Sequence, residues 1–337
     1  MYGIIDVGSN TVRLTIYKIE NGKAILLLNK KKAVGLASYV QNNQMLPERI
    51  NRVVEVLSEF KILLENMSIE NVHVFATAAL RNVKNSKEAV KEASERSGMA
   101  IEVISGELEA ELDFMGATHA VDMKNGLLVD IGGGSTELVV IQDGKMKANI
   151  SFPMGSLNTY EQYVANLLPT RAERKNIKQA VLNEIKKFPA LATGTYENIC
   201  GVGGSIRAAN KLNQYLFQLP TDTMLIKAPN VKKIIKLLEN DDAKTIPIGT
   251  LDILLKIIPE RVRTILPGMI ILHTIVKFYK AQLIKVSQAG VRDGYVYKFL
   301  AGEQTPVAPK TAKRRGRPAK KANEEKTPAK ESNGDKK

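Results

Sequence analysis

One pattern occurs twice in this chain, and it limits the fold more than any other feature. An apolar run meets an acid, passes through glycine, and resumes as a second apolar run that stops at a two-residue turn. The first copy is Ile4-Ile5-Asp6-Val7-Gly8-Ser9-Asn10-Thr11-Val12-Arg13-Leu14-Thr15-Ile16, followed by Asn21-Gly22. The second is Leu127-Leu128-Val129-Asp130-Ile131-Gly132-Gly133-Gly134-Ser135-Thr136-Glu137-Leu138-Val139-Val140, followed by Asp143-Gly144. Short runs rich in Val, Ile and Leu predict buried strands, and Asn-Gly or Asp-Gly between such runs predicts a hairpin. Asp6 and Asp130 stand 124 residues apart, Gly8 matches Gly132, and Gly22 matches Gly144. A duplicated strand–turn–strand unit predicts two similar α/β domains, and the cleft between them is a natural ligand site.

The remaining elements fill in around the copies. Residues 47–67 carry Ile50, Val53, Val54, Leu57, Phe60, Leu63 and Leu64 at helical spacing, an amphipathic helix facing the core. Residues 72–78 read as a buried strand in which His73 is structural, and Arg81 follows its C-terminal end, where side chains line the crevice of an α/β sheet. A strand at 101–104 leads to Ser105, a helix cap, with Glu107 and Glu109 in the first turn. Taken by itself, that pattern reads as dipole complementation on a solvated face. Residues 199–209 form strand, glycine turn and helix start, an anion site by its free N–H groups; the glycine spacing departs from the dinucleotide fingerprint. Helices are expected at 157–166, 170–188, 230–240, 250–257, 259–265 and 269–281, then a strand at 285–287 and a helix ending near Leu300. The expected division is a first domain over 1–122, a second over 123–302, and a disordered basic tail over 303–337.

The chemistry follows from the turns. Glycine lets peptide N–H groups approach an anion closely, and Asp130 and Glu137 are of the type that holds Mg²⁺ through oxygen. A phosphate ester or anhydride is therefore the expected substrate. Cys200 stands alone, which excludes a disulfide framework and suits a reducing, cytoplasmic setting. His73, His119 and His273 are scattered, so zinc is disfavoured and a hard metal expected. No apolar stretch reaches membrane-spanning length. The net charge of +14 favours a polyanionic partner; residues 303–337 contribute 11 Lys/Arg against 5 Asp/Glu.

Seven segments in order resemble one family. They are Ile4-Asp6-Gly8-Ser9-Asn10, Ala76-Thr77-Ala78-Leu80-Arg81, Ile104-Ser105-Gly106 with Glu109-Ala110, Asp130 to Glu137, Phe152-Pro153-Met154-Gly155-Ser156, Gly201-Val202-Gly203-Gly204, and Gly290-Val291-Arg292-Asp293-Gly294. Across residues 2–300 this looks like the exopolyphosphatase/guanosine-pentaphosphate phosphatase (Ppx/GppA) family. The resemblance implies the two-domain sugar kinase–actin superfamily fold, ribonuclease H-like, with the active site in the interdomain cleft. It implies hydrolysis of the terminal phosphoanhydride of inorganic polyphosphate, or of the 5′ γ-phosphate of guanosine pentaphosphate in the stringent response. Glu109 falls on the catalytic glutamate that activates water, which reverses the solvated reading above. Asp130 and Glu137 fall on acidic cleft positions serving Mg²⁺, with Asp6 as companion and K⁺ a candidate activator. Arg81, Ser9, Asn10, Thr11, Gly133, Gly134, Ser135, Gly203, Gly204 and Ser205 fall on phosphate-gripping positions.

The chain departs from that pattern in places. Glu111 stands where many relatives carry Arg, which is expected to remove a positive charge near the site. The length is that of the short family form, without the helical C-terminal domain that extends the polyphosphate channel and helps dimerise; a homodimer remains a candidate assembly. In the tail, Lys313, Arg314, Arg315 and Arg317 surround an Arg-Gly-Arg-Pro core of the kind that enters the minor groove of A·T-rich DNA. The blander reading is a solubilising polycation or a salt-sensitive tether for polyphosphate. A non-catalytic polyphosphate or nucleotide sensor is the reading from another class, and it would predict loss of Glu109, Asp130 or Glu137, all of which are present. A sugar-kinase activity ranks lower, because the Phe-Pro-Met-Gly and Ser-Gly-x-x-Glu segments are not those of a kinase.

Overall fold

The computed structural model of the protein describes residues 1–36, 40–41, 44–239 and 246–301. The first half runs β1 (Tyr2–Val7), β2 (Thr11–Glu20), β3 (Lys23–Ala33), a small hairpin β4 (Val40–Gln41) and β5 (Gln44–Met45), α1 (Pro47–Asn66), β6 (Val72–Ala76), α2 (Ala78–Arg81), α3 (Ser86–Ser97), β7 (Ile101–Val103) and α4 (Gly106–Ala120). The second half runs β8 (Gly126–Ile131), β9 (Thr136–Gln142), β10 (Lys145–Phe152), α5 (Ser156–Tyr163), α6 (Arg171–Lys186), α7 (Pro189–Ala192), β11 (Asn198–Val202), α8 (Gly203–Leu216), β12 (Leu225–Lys227) and α9 (Ala228–Leu238). It continues through α10 (Ile248–Ile257), a 3₁₀ turn (Pro259–Arg261), α11 (Ile265–Phe278), β13 (Leu283–Val286) and α12 (Val291–Tyr295), which winds on as a π-helical turn to Leu300.

The repeat in the sequence is a repeat in the topology. One sheet has the order β3-β2-β1-β6-β7 and the other β10-β9-β8-β11-β13-β12. In each, an antiparallel three-stranded meander is extended by parallel strands beside its first member. The first five positions correspond one to one, and β12 adds an antiparallel edge to the second sheet. This duplicated order is the two-domain actin-like, ribonuclease H-like fold.

Both faces of β1 and β8 are covered, which is why their sequences are continuously apolar rather than alternating. In the first sheet, Ile5, Val7 and Leu14 pack under α1 and α3 with Val53, Leu57 and Phe60. Its other face, Ile4, Tyr17 and Phe75, meets Leu112 of α4 and Tyr295 and Val296 of the last helix. In the second sheet, Leu127, Val129 and Leu138 pack against α6, α8, α9 and α11. Its opposite face, Leu128, Val139 and Cys200, meets Phe114 and Met115 of α4. Helix α4 thus serves both sheets. It crosses α12 at backbone contact: a Cβ on Gly294 would come within 1.8 Å of the Leu112 carbonyl oxygen, and one on Gly116 within 2.2 Å of the Gly290 oxygen. His73 sits beside this junction, 3.4 Å from the Tyr295 hydroxyl, in the structural role expected of it.

Some boundaries differ from expectation for local reasons. Helix α11 begins at Ile265 rather than 269, because Pro267 falls in its first turn, where a missing N–H removes no intrahelical bond. The helix expected over 259–265 is only the 3₁₀ turn Pro259–Arg261. Strand β12 is unforeseen; three residues carry too little periodicity to register. Among the described residues no helix is long and apolar enough to cross a membrane. The tail residues Lys313, Arg314, Arg315 and Arg317, expected to meet a polyanion, lie outside the described residues.

Candidate active site

The two acidic glycine turns leave β1 and β8 at their C-terminal ends and touch. A Cβ on Gly134 would lie 2.5 Å from Ser9 Oγ, and one on Gly133 3.0 Å from Ser9 Cβ, so only glycine permits this approach. The cleft between them has a volume of about 110 Å³ and is lined by Asp6, Gly8–Thr11, Asp130, Gly132–Ser135, Gly203 and Gly204, among others. That is below the roughly 300–1,000 Å³ of sites that enclose a whole drug-sized ligand. No aromatic side chain is among the lining residues.

Helix α4 delivers the acids. Ser105 caps it, its Oγ accepting from the Leu108 N–H at 3.1 Å. Glu109 and Asp113, four residues apart, therefore share the face turned to the cleft. Arg81 Nη1 donates to Glu109 Oε2 at 2.7 Å and to the Ile104 carbonyl at 3.2 Å. Burial pushes the Glu109 carboxyl up to about 7, with Arg81 opposing and Asp130 and Asp6 adding.

Asp113, Asp130 and Glu137 each bring a carboxylate oxygen to within 4.8 Å of the others. Ser151 Oγ donates to Glu137 Oε1 at 2.7 Å. Glu137 Oε2, Asp130 Oδ1 and both Asp113 oxygens are buried and receive no hydrogen bond among the described residues. Burial first, and then repulsion from neighbouring carboxylates, holds Asp113 and Glu137 well above the usual range; burial raises Asp130 too, against Arg207 and Arg292. Such converging, orphaned carboxylate oxygens fit a hard divalent ion. The arrangement needs glycine behind it: Gly203 has φ +85°, and a Cβ there would lie 1.9 Å from Asp130 Oδ1.

Asp6 does not join that cluster. Arg292 Nη1 donates to its Oδ2 at 3.2 Å, and Arg292 and Arg13 offset the upward push of burial on its carboxyl. It faces the same cleft, but its charge is already answered, so Asp113 takes the third place in the acidic group. Arg13, Arg207, Arg261 and Arg292 form the opposing basic lining. Burial and the neighbouring Arg292 bring Arg13 down to about 10, and burial lowers Arg207 and Arg261 as well.

The other expected residues divide. Ser9, Asn10, Thr11, Gly133, Gly134, Ser135, Gly203 and Gly204 line the cleft. Ser205 does not: it is buried against Gly268, whose Cβ position lies 3.1 Å from the serine Cβ. Arg81 is occupied by Glu109 instead of standing in the lining. Glu111, expected to alter the charge of the site, pairs with Lys298 at 2.5 Å on another side of α4. Sequence reasoning overlooked Asp113, whose signal was its i+4 spacing from Glu109. It overlooked Arg13 too, although Arg13 follows Asp6 by the same seven positions as Glu137 follows Asp130, and each pair is in cross-strand register. Arg207 and Arg292 lay in quoted segments; Arg261 carries no local signal.

The profile of the Ppx/GppA phosphatase family matches residues 15–303. A Haemophilus influenzae protein provisionally named an exopolyphosphatase is 27% identical over 301 residues, 88% of this chain and 90% of its own. A Vibrio cholerae guanosine-5′-triphosphate,3′-diphosphate pyrophosphatase is 27% identical over 308 residues, 89% of this chain but only 59% of its own length. Among solved structures, an Aquifex aeolicus Ppx/GppA family member superposes with a TM-score of 0.70 at 26% identity, covering 88% of this chain and 96% of that one. An exopolyphosphatase from Cytophaga hutchinsonii gives 0.76 at 23% identity, covering 89% and 98%; at that identity the likeness is one of fold.

Proposed function

The chain belongs to the Ppx/GppA phosphatase family, and on that premise we propose that it is an exopolyphosphatase, releasing phosphate from the end of inorganic polyphosphate in the cytoplasm. The observation that carries this reading is the placement of Glu109, pinned by Arg81 at 2.7 Å, beside the acidic group Asp113, Asp130 and Glu137 in a cleft walled by glycine turns and arginines. Phosphoryl transfer asks a protein chiefly to position water in line and to answer charge on the equatorial oxygens. Glu109 orients the water and takes its proton, a role suited to a carboxyl poised at about 7. Arg13, Arg207, Arg261 and Arg292 meet the negative oxygens, and the N–H groups of Gly133 and Gly134 approach them closely, the Gly132 N–H being spent on the Ser135 carbonyl at 3.0 Å. Asp113, Asp130 and Glu137 would hold Mg²⁺, which when bound supplies charge neutralisation at the phosphoryl oxygens. The cleft offers no Ser/His or Cys/His pair as a nucleophile among its lining residues, in keeping with direct attack by water.

Polyphosphate is favoured over a nucleotide because the cleft is small and lacks an aromatic platform for a base. The activity in the Vibrio relative's name supports guanosine pentaphosphate as the second reading, since both substrates end in the same anhydride. Phosphate release from long-chain polyphosphate with Mg²⁺, comparing the intact protein with Glu109→Gln, tests the assignment. Collapse of release with binding retained is expected. Equal release would remove Glu109 from the mechanism. No release from the intact protein, with turnover of guanosine pentaphosphate, would transfer the reading to the nucleotide.

A further inference from the structure

A second concavity of about 630 Å³ lies between α6, α9 and α11 and shares no lining residue with the cleft. Arg171, Lys175 and Lys178 stand along its α6 wall at i, i+4 and i+7, one stripe of the helix. At 1.5 Å rise per residue the stripe is about 10 Å long. His273 of α11 also lines the groove; after burial, the charges of Lys277, Lys232 and Lys178 hold its imidazole below the ordinary value.

The acid among the lining residues, Glu239, is engaged with Arg174 at 3.4 Å. Arg174 also donates from Nη1 to the Pro169 carbonyl at 3.0 Å. Arg171, Lys175, Lys178, Lys232 and Lys277 have no ion pair or side-chain hydrogen bond among the described residues. Three lining cations, with Lys232 and Lys277 near enough to act on His273, thus stand without an answering charge among the described residues. Walls of low dielectric focus such a field and raise the local concentration of anions.

We propose that this groove is a second polyanion site that holds a separate stretch of a long condensed-phosphate chain, an inference that rests on the polyphosphate reading of the cleft. Lysine ammoniums are point charges on flexible stems and accept phosphate in any orientation. Apart from the His273 ring the lining has no aromatic surface on which nucleobases could stack, which favours a bare phosphate polymer over nucleic acid.

The test compares Lys175→Gln/Lys178→Gln with the parent on long-chain polyphosphate and on tripolyphosphate, whose three phosphates are too few to occupy both sites. The basic tail is present in both proteins, so its contribution cancels. KM for the long chain should rise about tenfold at unchanged kcat, tripolyphosphate kinetics should not change, and the salt dependence of long-chain KM should flatten by about 1.5 log units per log unit of salt. Arg171→Gln/Lys232→Gln, on α6 and on the neighbouring α9, should reproduce the effect and guards against a local folding defect. Direct binding of long-chain polyphosphate to Glu109→Gln protein, with and without the groove substitutions, should weaken by the same factor. An unchanged long-chain KM with unchanged binding overturns the proposal, as does an equal rise for tripolyphosphate. A larger loss for single-stranded DNA than for polyphosphate also overturns it, in favour of a nucleic-acid surface. Should no version hydrolyse either substrate, the reading of the cleft fails, and the binding comparison still decides the groove.

Discussion

Arg81 holds Glu109 by one oxygen only: Nη1 donates to Oε2 at 2.7 Å, and Oε1 accepts no hydrogen bond among the described residues. One oxygen fixes the carboxylate and the other is left for water. The same cation opposes the rise in the Glu109 pKa caused by burial, so a single contact sets both geometry and basicity.

The pH dependence of hydrolysis follows from that contact. The base is the ionised form, so kcat should fall about tenfold per unit as pH drops below about 7. Arg81→Met removes the cation that lowers the Glu109 pKa, and the acid limb should move to higher pH. A pH–rate profile with the limb unmoved would separate Arg81 from the tuning of Glu109.

The acidic group links stability to pH and to divalent cations. Asp113, Asp130 and Glu137 have raised pKa values in the folded state, so between their ordinary values of 3.8 and 4.5 and the raised ones the folded protein binds more protons than the unfolded. Without divalent cations, stability should therefore decline as pH rises through that window. Mg²⁺ should restore about 2.7 kcal/mol at a hundredfold excess over Kd. Asp113→Asn should lessen the decline and most of the Mg²⁺ effect, as thermal unfolding with EDTA or Mg²⁺ will register. A metal-free protein equally stable from pH 5 to pH 8 would contradict this.

Gly203→Ala tests the backbone behind the acids. Its φ of +85° alone costs an alanine about 1–2 kcal/mol, and the new Cβ would collide with Asp130 Oδ1. Stability should drop by at least that amount, and Mg²⁺ should no longer raise the melting temperature as it does in the parent. Denaturant unfolding with and without Mg²⁺ distinguishes the two effects.

Glu111→Arg should leave hydrolysis almost untouched. Glu111 lies outside the cleft lining and pairs with a partly exposed Lys298, so the substitution should cost about 1 kcal/mol or less. A changed kcat or KM for tripolyphosphate would show that the charge reaches the site after all.

Residues that answer to the local backbone were legible in the sequence, and those gathered by packing were not. Gly133, Gly134 and Gly203 could be picked out because a tight turn restricts its own sequence, and Asp130 and Glu137 stood next to such a turn. Arg261 belongs to a 3₁₀ turn that packs against α10, and nothing in Pro259–Arg261 announces the cleft. Ser205 lies outside the cleft lining because α8 starts at Gly203 and each helical residue turns by about 100°, which carries the third side chain toward Gly268. Asp6 was matched to Asp130 correctly as a repeat position. Its neighbour on the next strand, however, is Arg13 where the second copy has Glu137, so duplication of the backbone did not duplicate the charge.

The last helix also has a bearing on how the protein is made. Tyr17 donates to Asp293 at 3.0 Å across 276 residues of chain, and Tyr295 and Val296 cover Ile4 and Phe75. At ribosomal rates of about 5–20 residues per second, translation of that interval takes roughly 15–55 s, during which the earliest sheet emerges with one greasy face bare. That face of the first sheet stays uncovered until the residues of α12 have been made. Arg292 arrives with the same helix, so a product terminated early would lack both the cover for that face and part of the basic wall, and quality control would meet it as an aggregation-prone fragment before it could act as an enzyme.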